Sequence, residues 1–243
     1  MTEAPLYREI TAQQFLQERT MRFAPDSPEV TGIRFGIPIS HEGTEPLVLP
    51  SPWPDPDWQS KLGPISQVMP LDFEAYAGIV LPWIAYRGRE RYEVDGTADA
   101  YRSFGLPVPE PLTLDSLYAD FGILERQSHL PALARTVFDR FAGTAKTIFV
   151  KWASYVANEA TYWAIERELF LVLENPFAEI PQIGPLQAGG LYAIFPRGCG
   201  WYIHHSSDTP ILYVAGSADL VAALLQVLKD RVVRLALTDK YYS

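Results

Sequence analysis

The densest concentration of reactive side chains in the sequence is Arg197-Gly198-Cys199-Gly200-Trp201-Tyr202-Ile203-His204-His205-Ser206-Ser207-Asp208. It holds the only cysteine and two of the four histidines. A thiol, an imidazole and a carboxylate can supply a nucleophile, its base and an orienting group. Strand geometry limits how they combine, because successive side chains point to opposite faces. His204 and His205 therefore cannot serve one site together. His205 shares a face with Trp201 and Ile203, and His204 shares the other with Tyr202 and Ser206. The two faces are similar in polarity, so the sequence leaves open which is buried. A packed thiol beside ordinary sheet histidines explains the same residues more simply. No catalytic residue is assigned on this basis. Arg197, Trp201, Tyr202, His204, His205 and Asp208 stand as candidates for a ligand site or an active site.

Other chemistry is weaker. A metal site needs three or four ligands. His204 could meet Asp208, His41 or His129 only through the fold, and no spacing proposes it. Neither a metal nor a cofactor is expected. Asp55/Asp57 and Glu166/Glu168 have the spacing of same-face strand pairs and could act as acid and base, but a solvated face accounts for them more simply. The sequence contains no G-x-G-x-x-G, no G-x-x-x-x-G-K-[ST], no H-E-x-x-H and no G-x-S-x-G, so the commonest nucleotide, metalloprotease and hydrolase signatures are missing.

A second candidate is a loop. Pro46, Pro50, Pro52, Pro54 and Pro56 crowd residues 45–58 around Trp53 and Trp58. Proline removes backbone donors and drives its predecessor towards extended geometry, so the stretch reads as a polyproline II surface loop. Its tryptophans either pack down on the domain or stand as anchors for a partner. On the second reading Trp53 and Trp58 are the partner-binding residues.

Composition narrows the classes of function. The chain of 243 residues carries a formal charge of −9. Nucleic-acid affinity comes largely from Lys and Arg displacing counterions, and the longest basic cluster, Arg87-Gly88-Arg89-Glu90-Arg91, is interrupted by an acid. A basic protein partner suits the charge, whereas nucleic acid does not. No apolar run approaches the roughly 18 residues of a membrane helix, and the amino terminus lacks the order of a signal peptide. One cysteine permits no intramolecular disulfide. The expected compartment is the cytoplasm, and oligomeric state is left open. Aromatic residues make up 13%, which fits an aromatic-rich core or an aromatic-lined groove.

The elements that must position these residues follow from periodicity and caps. A capped helix is expected from Thr11, and Gly32 to Ile39 reads as a strand. Ile65 to Met69 is expected as another. Asp72 to Trp83 has helical spacing but strand-forming residues, and residues 85–110 read as a charged connection. A capped helix should follow Thr113. Another should follow Ser128, with Leu130, Leu133, Val137, Phe138 and Phe141 as its apolar stripe. Strands are expected over Lys146 to Tyr155 and Arg167 to Leu173. Trp201 to Ser206 and Pro210 to Ala215 form a hairpin, and a helix capped by Ser217 leads to a last strand from Arg231 to Leu237. The class is α+β, a mostly antiparallel sheet with three to four amphipathic helices packed on it. The chain reads as a single domain, 1–243. It is divisible into an amino-terminal subdomain, 1–110, and a carboxyl-terminal sheet-and-helix unit, 111–243.

Short motifs add a resemblance. They are Phe73-Glu74-Ala75-Tyr76-Ala77 with Pro82, Val150-Lys151-Trp152, Gly184-Pro185-Leu186, Pro196 to Trp201, and Tyr213-Val214-Ala215-Gly216-Ser217. Through these the central and carboxyl-terminal parts resemble an uncharacterised bacterial protein family, mostly actinobacterial and of unknown function. That group usually carries an acidic residue in the strand before Tyr-Val, where this sequence offers only Asp208. The resemblance implies one shared fold and transfers no catalytic residue. The function expected from all of this is a protein-binding module of immunity or regulatory type. The alternatives are an enzyme of unrecognised class with its site near the Arg197–Asp208 hairpin, and a small-ligand binder with an aromatic pocket.

Overall fold

The computed structural model describes residues 8–9, 37–39, 63–125, 130–142, 146–152, 162–165, 168–178, 191–198, 200–205 and 209–242. The helix expected at Thr11, the loop 45–58, His41, His129, Cys199 and Asp208 lie outside them.

The ambiguous stretch after Asp72 resolves as strands. Residues Ala75–Val80 form β3, and all six are buried. A strand covered on both faces reads as a continuous apolar run, and its periodicity then misleads. Pro82 separates it from β4 (Trp83–Arg87). Counting from the amino terminus, β1 is Arg8–Glu9 and β2 is Ile37–Ile39. After β4 come β5 (Glu90–Val94), α1 (Thr97–Ser103), α2 (Leu114–Asp120) and β6 (Gly122–Glu125). Next are α3 (Ala132–Ala142), β7 (Thr147–Trp152), β8 (Tyr162–Ile165) and β9 (Glu168–Asn175). The chain ends with β10 (Leu191–Pro196), β11 (Trp201–His205), β12 (Ile211–Gly216), α4 (Ala218–Leu228) and β13 (Val232–Leu235).

These strands make two antiparallel sheets. The larger has ten strands in the order β13-β3-β12-β11-β10-β7-β9-β8-β2, with β1 also on β9; the smaller is β5-β4-β6. The expected α+β class with a mostly antiparallel sheet is borne out. β3 lies between β12 and β13, so residues on both sides of position 110 share one sheet.

Period-2 alternation sorts the large sheet into two faces. Ala77, Ile79, Ile203, Leu212 and Val214 face α3 and α4, where they meet Phe138, Leu220, Leu224 and Leu228. Tyr76, Val80, Tyr202, Tyr213 and Ala215 face the opposite way. There α1, α2, the small sheet and the tail after β13 cover them through Tyr101, Leu117, Trp83 and Tyr241. β11 sits in the middle of the order with its two faces both covered.

Caps behave as their chemistry requires. The Thr113 hydroxyl accepts from the Ser116 N–H at 3.1 Å, and the Ser116 hydroxyl accepts from the Thr113 N–H at 3.1 Å, closing a capping box on α2. The Ser217 hydroxyl accepts from the Leu220 N–H at 3.2 Å, while the Glu74 carboxylate accepts from the Ala218 N–H at 3.0 Å. Two oxygens thus occupy donors that the first turn of α4 would otherwise leave orphaned.

Three expectations are corrected. Ile65 to Met69 is no strand; Ile65–Gln67 is a 3-10 turn. Its N–H groups are taken by the tail, Ile65 to the Asp239 carbonyl at 2.8 Å and Ser66 to the Leu237 carbonyl at 3.1 Å, so no regular ladder forms. Residues 85–110 hold a hairpin and a helix where a connection was expected. Gly88, at φ +64 in the first position of the two-residue loop Gly88-Arg89, supplies the backbone that a II′ turn needs. Leu133 is 57% exposed. The apolar face of α3 instead runs through Ala134, Val137 and Phe138.

Candidate functional site

Each residue of β11 is at most 3% exposed. The side-chain partition follows the strand. Trp201 and Ile203 lie in the cluster under α3 and α4, and Tyr202 lies in the other. Neighbouring strands fix the register on both sides, with His204 opposite Ala193 and Tyr213, and His205 opposite Leu212. Trp201 is clamped by Phe138 at 5.0 Å and by Phe177 at 5.4 Å between ring centroids. The two histidines are on opposite faces, and both faces are interior. Arg197, by contrast, is exposed in the turn after β10, where its N–H donates to the Lys146 carbonyl at 2.7 Å. The structure therefore does not bring Arg197 to the histidines. Asp208, Cys199, Trp53 and Trp58 lie outside the described residues.

His204 leads to a feature that the sequence did not announce. Its Nε2 is 3.0 Å from the Tyr241 hydroxyl, in a buried contact. The Tyr241 ring lies 5.1 Å from that of Tyr213, whose hydroxyl is used twice. Tyr213 donates to the Tyr242 carbonyl at 3.0 Å and accepts from the Tyr242 N–H at 2.9 Å. Tyr242 stacks on Tyr118 at 3.9 Å, donates its hydroxyl to Asp115, and lies beneath Lys240 Nζ at 5.0 Å. Tyr118 in turn shares a hydrogen bond with Thr209. The Tyr241 N–H donates to the Gly63 carbonyl at 3.0 Å. The outcome is a clasp that pins residues 236–242 across β12 and onto α2.

Burial sets the proton affinities in this clasp. Desolvation holds the Tyr213 hydroxyl well above the ordinary value of 10.0, and the neighbouring Tyr241 adds to it. Tyr242 is also raised, by desolvation first and then by its hydrogen bond to Asp115. Tyr213 and Tyr242 are therefore neutral phenols rather than sources of phenolate near neutral pH. Among the described residues no group of three His, Cys, Asp or Glu side chains is placed to hold a metal ion. Among them, too, no helix is long and apolar enough to cross a membrane.

The exposed chemistry is elsewhere, on the small sheet. Register places Trp83, Ala85, Val94 and Ile123 on its inner face, against α1 and α2, with Tyr92 on the same face but 40% exposed and edge-on to Phe104. Ile84, Tyr86, Arg91, Glu93, Gly122 and Leu124 share the outer face. Tyr86 is 47% exposed and Leu124 55%. The Tyr86 ring lies flat over Gly122, where a Cβ would come within 2.0 Å of Tyr86 Cζ. Glycine is required there for the ring to rest on the neighbouring strand. The signal was present in the sequence as Arg87-Gly88-Arg89-Glu90, a Gly-X hairpin loop between two aromatic-bearing segments. No family model, curated protein or solved structure matches this chain.

Proposed function

We propose that this chain is a protein-recognition module of regulatory or immunity type, working in the cytoplasm, whose contact surface is the outer face of the small sheet. The observation that carries the reading is the strip of exposed Tyr86 and Leu124 with half-buried Ile84 between strands, beside the exposed Arg91. Tyrosine and arginine dominate binding hot spots, because each combines a large contact area with a polar end. The inner face of the same sheet is packed against the domain, so the strip is held on a rigid backing. A rigid surface loses little entropy when it binds.

The buried histidines support the same reading. A general base must come within hydrogen-bond reach of its substrate, and His204 and His205 are both interior. The net charge of −9 argues against a nucleic-acid partner. It would steer a basic protein towards the acidic parts of the surface, but the strip itself carries both signs, so the contact there rests on apolar burial. The likeness to an uncharacterised bacterial family remains part of this proposal, carried by Phe73 to Ala77 and Tyr213 to Ser217.

The test is a photo-crosslinking phenylalanine analogue placed at Leu124, compared with the same analogue at Gln226 on the exposed side of α4. Irradiation with the chain at about 1 mM in native cell extract should give a discrete adduct from position 124 and none from position 226. Equal yields, or no adduct from position 124, would sink the assignment of this face.

A further inference from the structure

The outer face of the small sheet carries a pattern that matches itself. Two levels can be read from the strand register. Arg91, Tyr86 and Gly122 lie side by side on one, and Glu93, Ile84 and Leu124 on the next. A two-fold axis in the plane of the face, perpendicular to the strands and passing between the levels, stacks each level on the other level of a second copy. Arg91 then meets Glu93, Tyr86 meets Ile84, and Leu124 descends on Gly122 and the tyrosine ring that covers it. A two-fold interface must be self-complementary in this way, each contact occurring twice.

We infer that the partner seated on this face is a second copy of the same chain, bound sheet to sheet about that two-fold axis. The inference rests on the recognition reading above and names its partner. Three strands spaced by about 4.8 Å, two of five residues and one of four, present a face of at most roughly 14 by 17 Å, about 240 Å². That is well under the roughly 800 Å² per partner of a standard stable interface. The dimer is therefore weak and reversible, with a dissociation constant on the order of 0.1–1 mM. Two chains of charge −9 repel each other at a distance. Salt screens that repulsion more than the close Arg91–Glu93 pairs, so self-association holds or strengthens as salt rises. Binding to a basic protein would weaken.

Sedimentation velocity of the full chain, from about 10 µM to about 1 mM, tests this at low and high salt. The expected result is a concentration-dependent dimer. Arg91→Glu alone and Glu93→Arg alone should each weaken it at least about tenfold, since each places like charges in both copies of the contact. The double exchange, Arg91→Glu with Glu93→Arg, should recover most of the loss, because it restores opposite charges across the axis. Leu124→Glu should give a monomer with unchanged thermal stability, since that side chain is 55% exposed. A monomer at every concentration overturns the inference, as does a dimer that ignores the charge exchange. The adduct formed from position 124 separates the two readings. Twice the chain mass supports the second copy, another mass overturns the second copy and leaves the recognition reading standing, and no adduct ends both.

Discussion

Trp201→Ala is expected to lower the free energy of unfolding by about 3–5 kcal/mol, the largest single effect anticipated in the carboxyl-terminal hairpin. The ring is 1% exposed and is held between Phe138 and Phe177, with α3 packed over it. Removing it takes away a large transfer contribution and leaves a cavity that α3 cannot close, because Ala134, Val137 and Phe138 hold the helix against the sheet. Urea unfolding monitored by circular dichroism would read the change as a lower midpoint at a similar slope. A loss under about 1 kcal/mol would mean that the ring lines an open site and that the hairpin is not interior.

Tyr213→Phe is expected to cost about 1–3 kcal/mol, although it deletes one oxygen atom. That oxygen accepts the Tyr242 N–H and donates to the Tyr242 carbonyl, so its removal strips both backbone groups of a partner and loosens the tail. The same substitution should change the response to alkali. Tyr213 is held well above 10.0 by burial, Tyr76 and Tyr242 are raised for the same leading reason, and burial pushes Tyr101 up to about 12. Between the unfolded and folded values the native chain binds more protons than the unfolded chain. Stability is therefore complete below about pH 10 and falls as pH rises from there through the folded values. Removing Tyr213 takes one raised group away, so the variant should decline less steeply. Urea midpoints measured from neutral pH to pH 11 check this. Parallel declines in the two proteins would show that Tyr213 ionises as easily folded as unfolded.

Much of the architecture was legible because local signals agreed with the fold. Ser217 and Thr113 begin helices where their hydroxyls accept first-turn N–H groups. The alternation in Trp201 to His205 assigned His204 and His205 to opposite faces. It could not rank those faces, since burial of both depends on α3, α4, α1, α2 and a tail far away in sequence. The 72–83 stretch stayed ambiguous for the same reason: a strand covered on both sides loses its period of two. The clasp was invisible because its members, Asp115, Tyr118, His204, Tyr213, Tyr241 and Tyr242, belong to four separated segments. The strip on the outer face of the small sheet was half visible. The Arg87-Gly88-Arg89-Glu90 turn is a hairpin signal, but Tyr86, Leu124 and Ile84 meet only once β4 pairs with both β5 and β6.

Hydroxyl-radical footprinting followed by mass spectrometry tests the central claim most directly, that the outer face of the small sheet is the contact surface and the histidine hairpin is interior. The purified chain at about 10 µM and the same chain at about 1 mM in native extract would be labelled side by side. The account predicts strong labelling of Tyr86 and Leu124 in dilute solution, protection of both in extract, and little labelling of Trp201, Tyr202 or His204 in either. Protection confined to other surfaces, or strong labelling of Trp201 and His204 in the dilute protein, would contradict it.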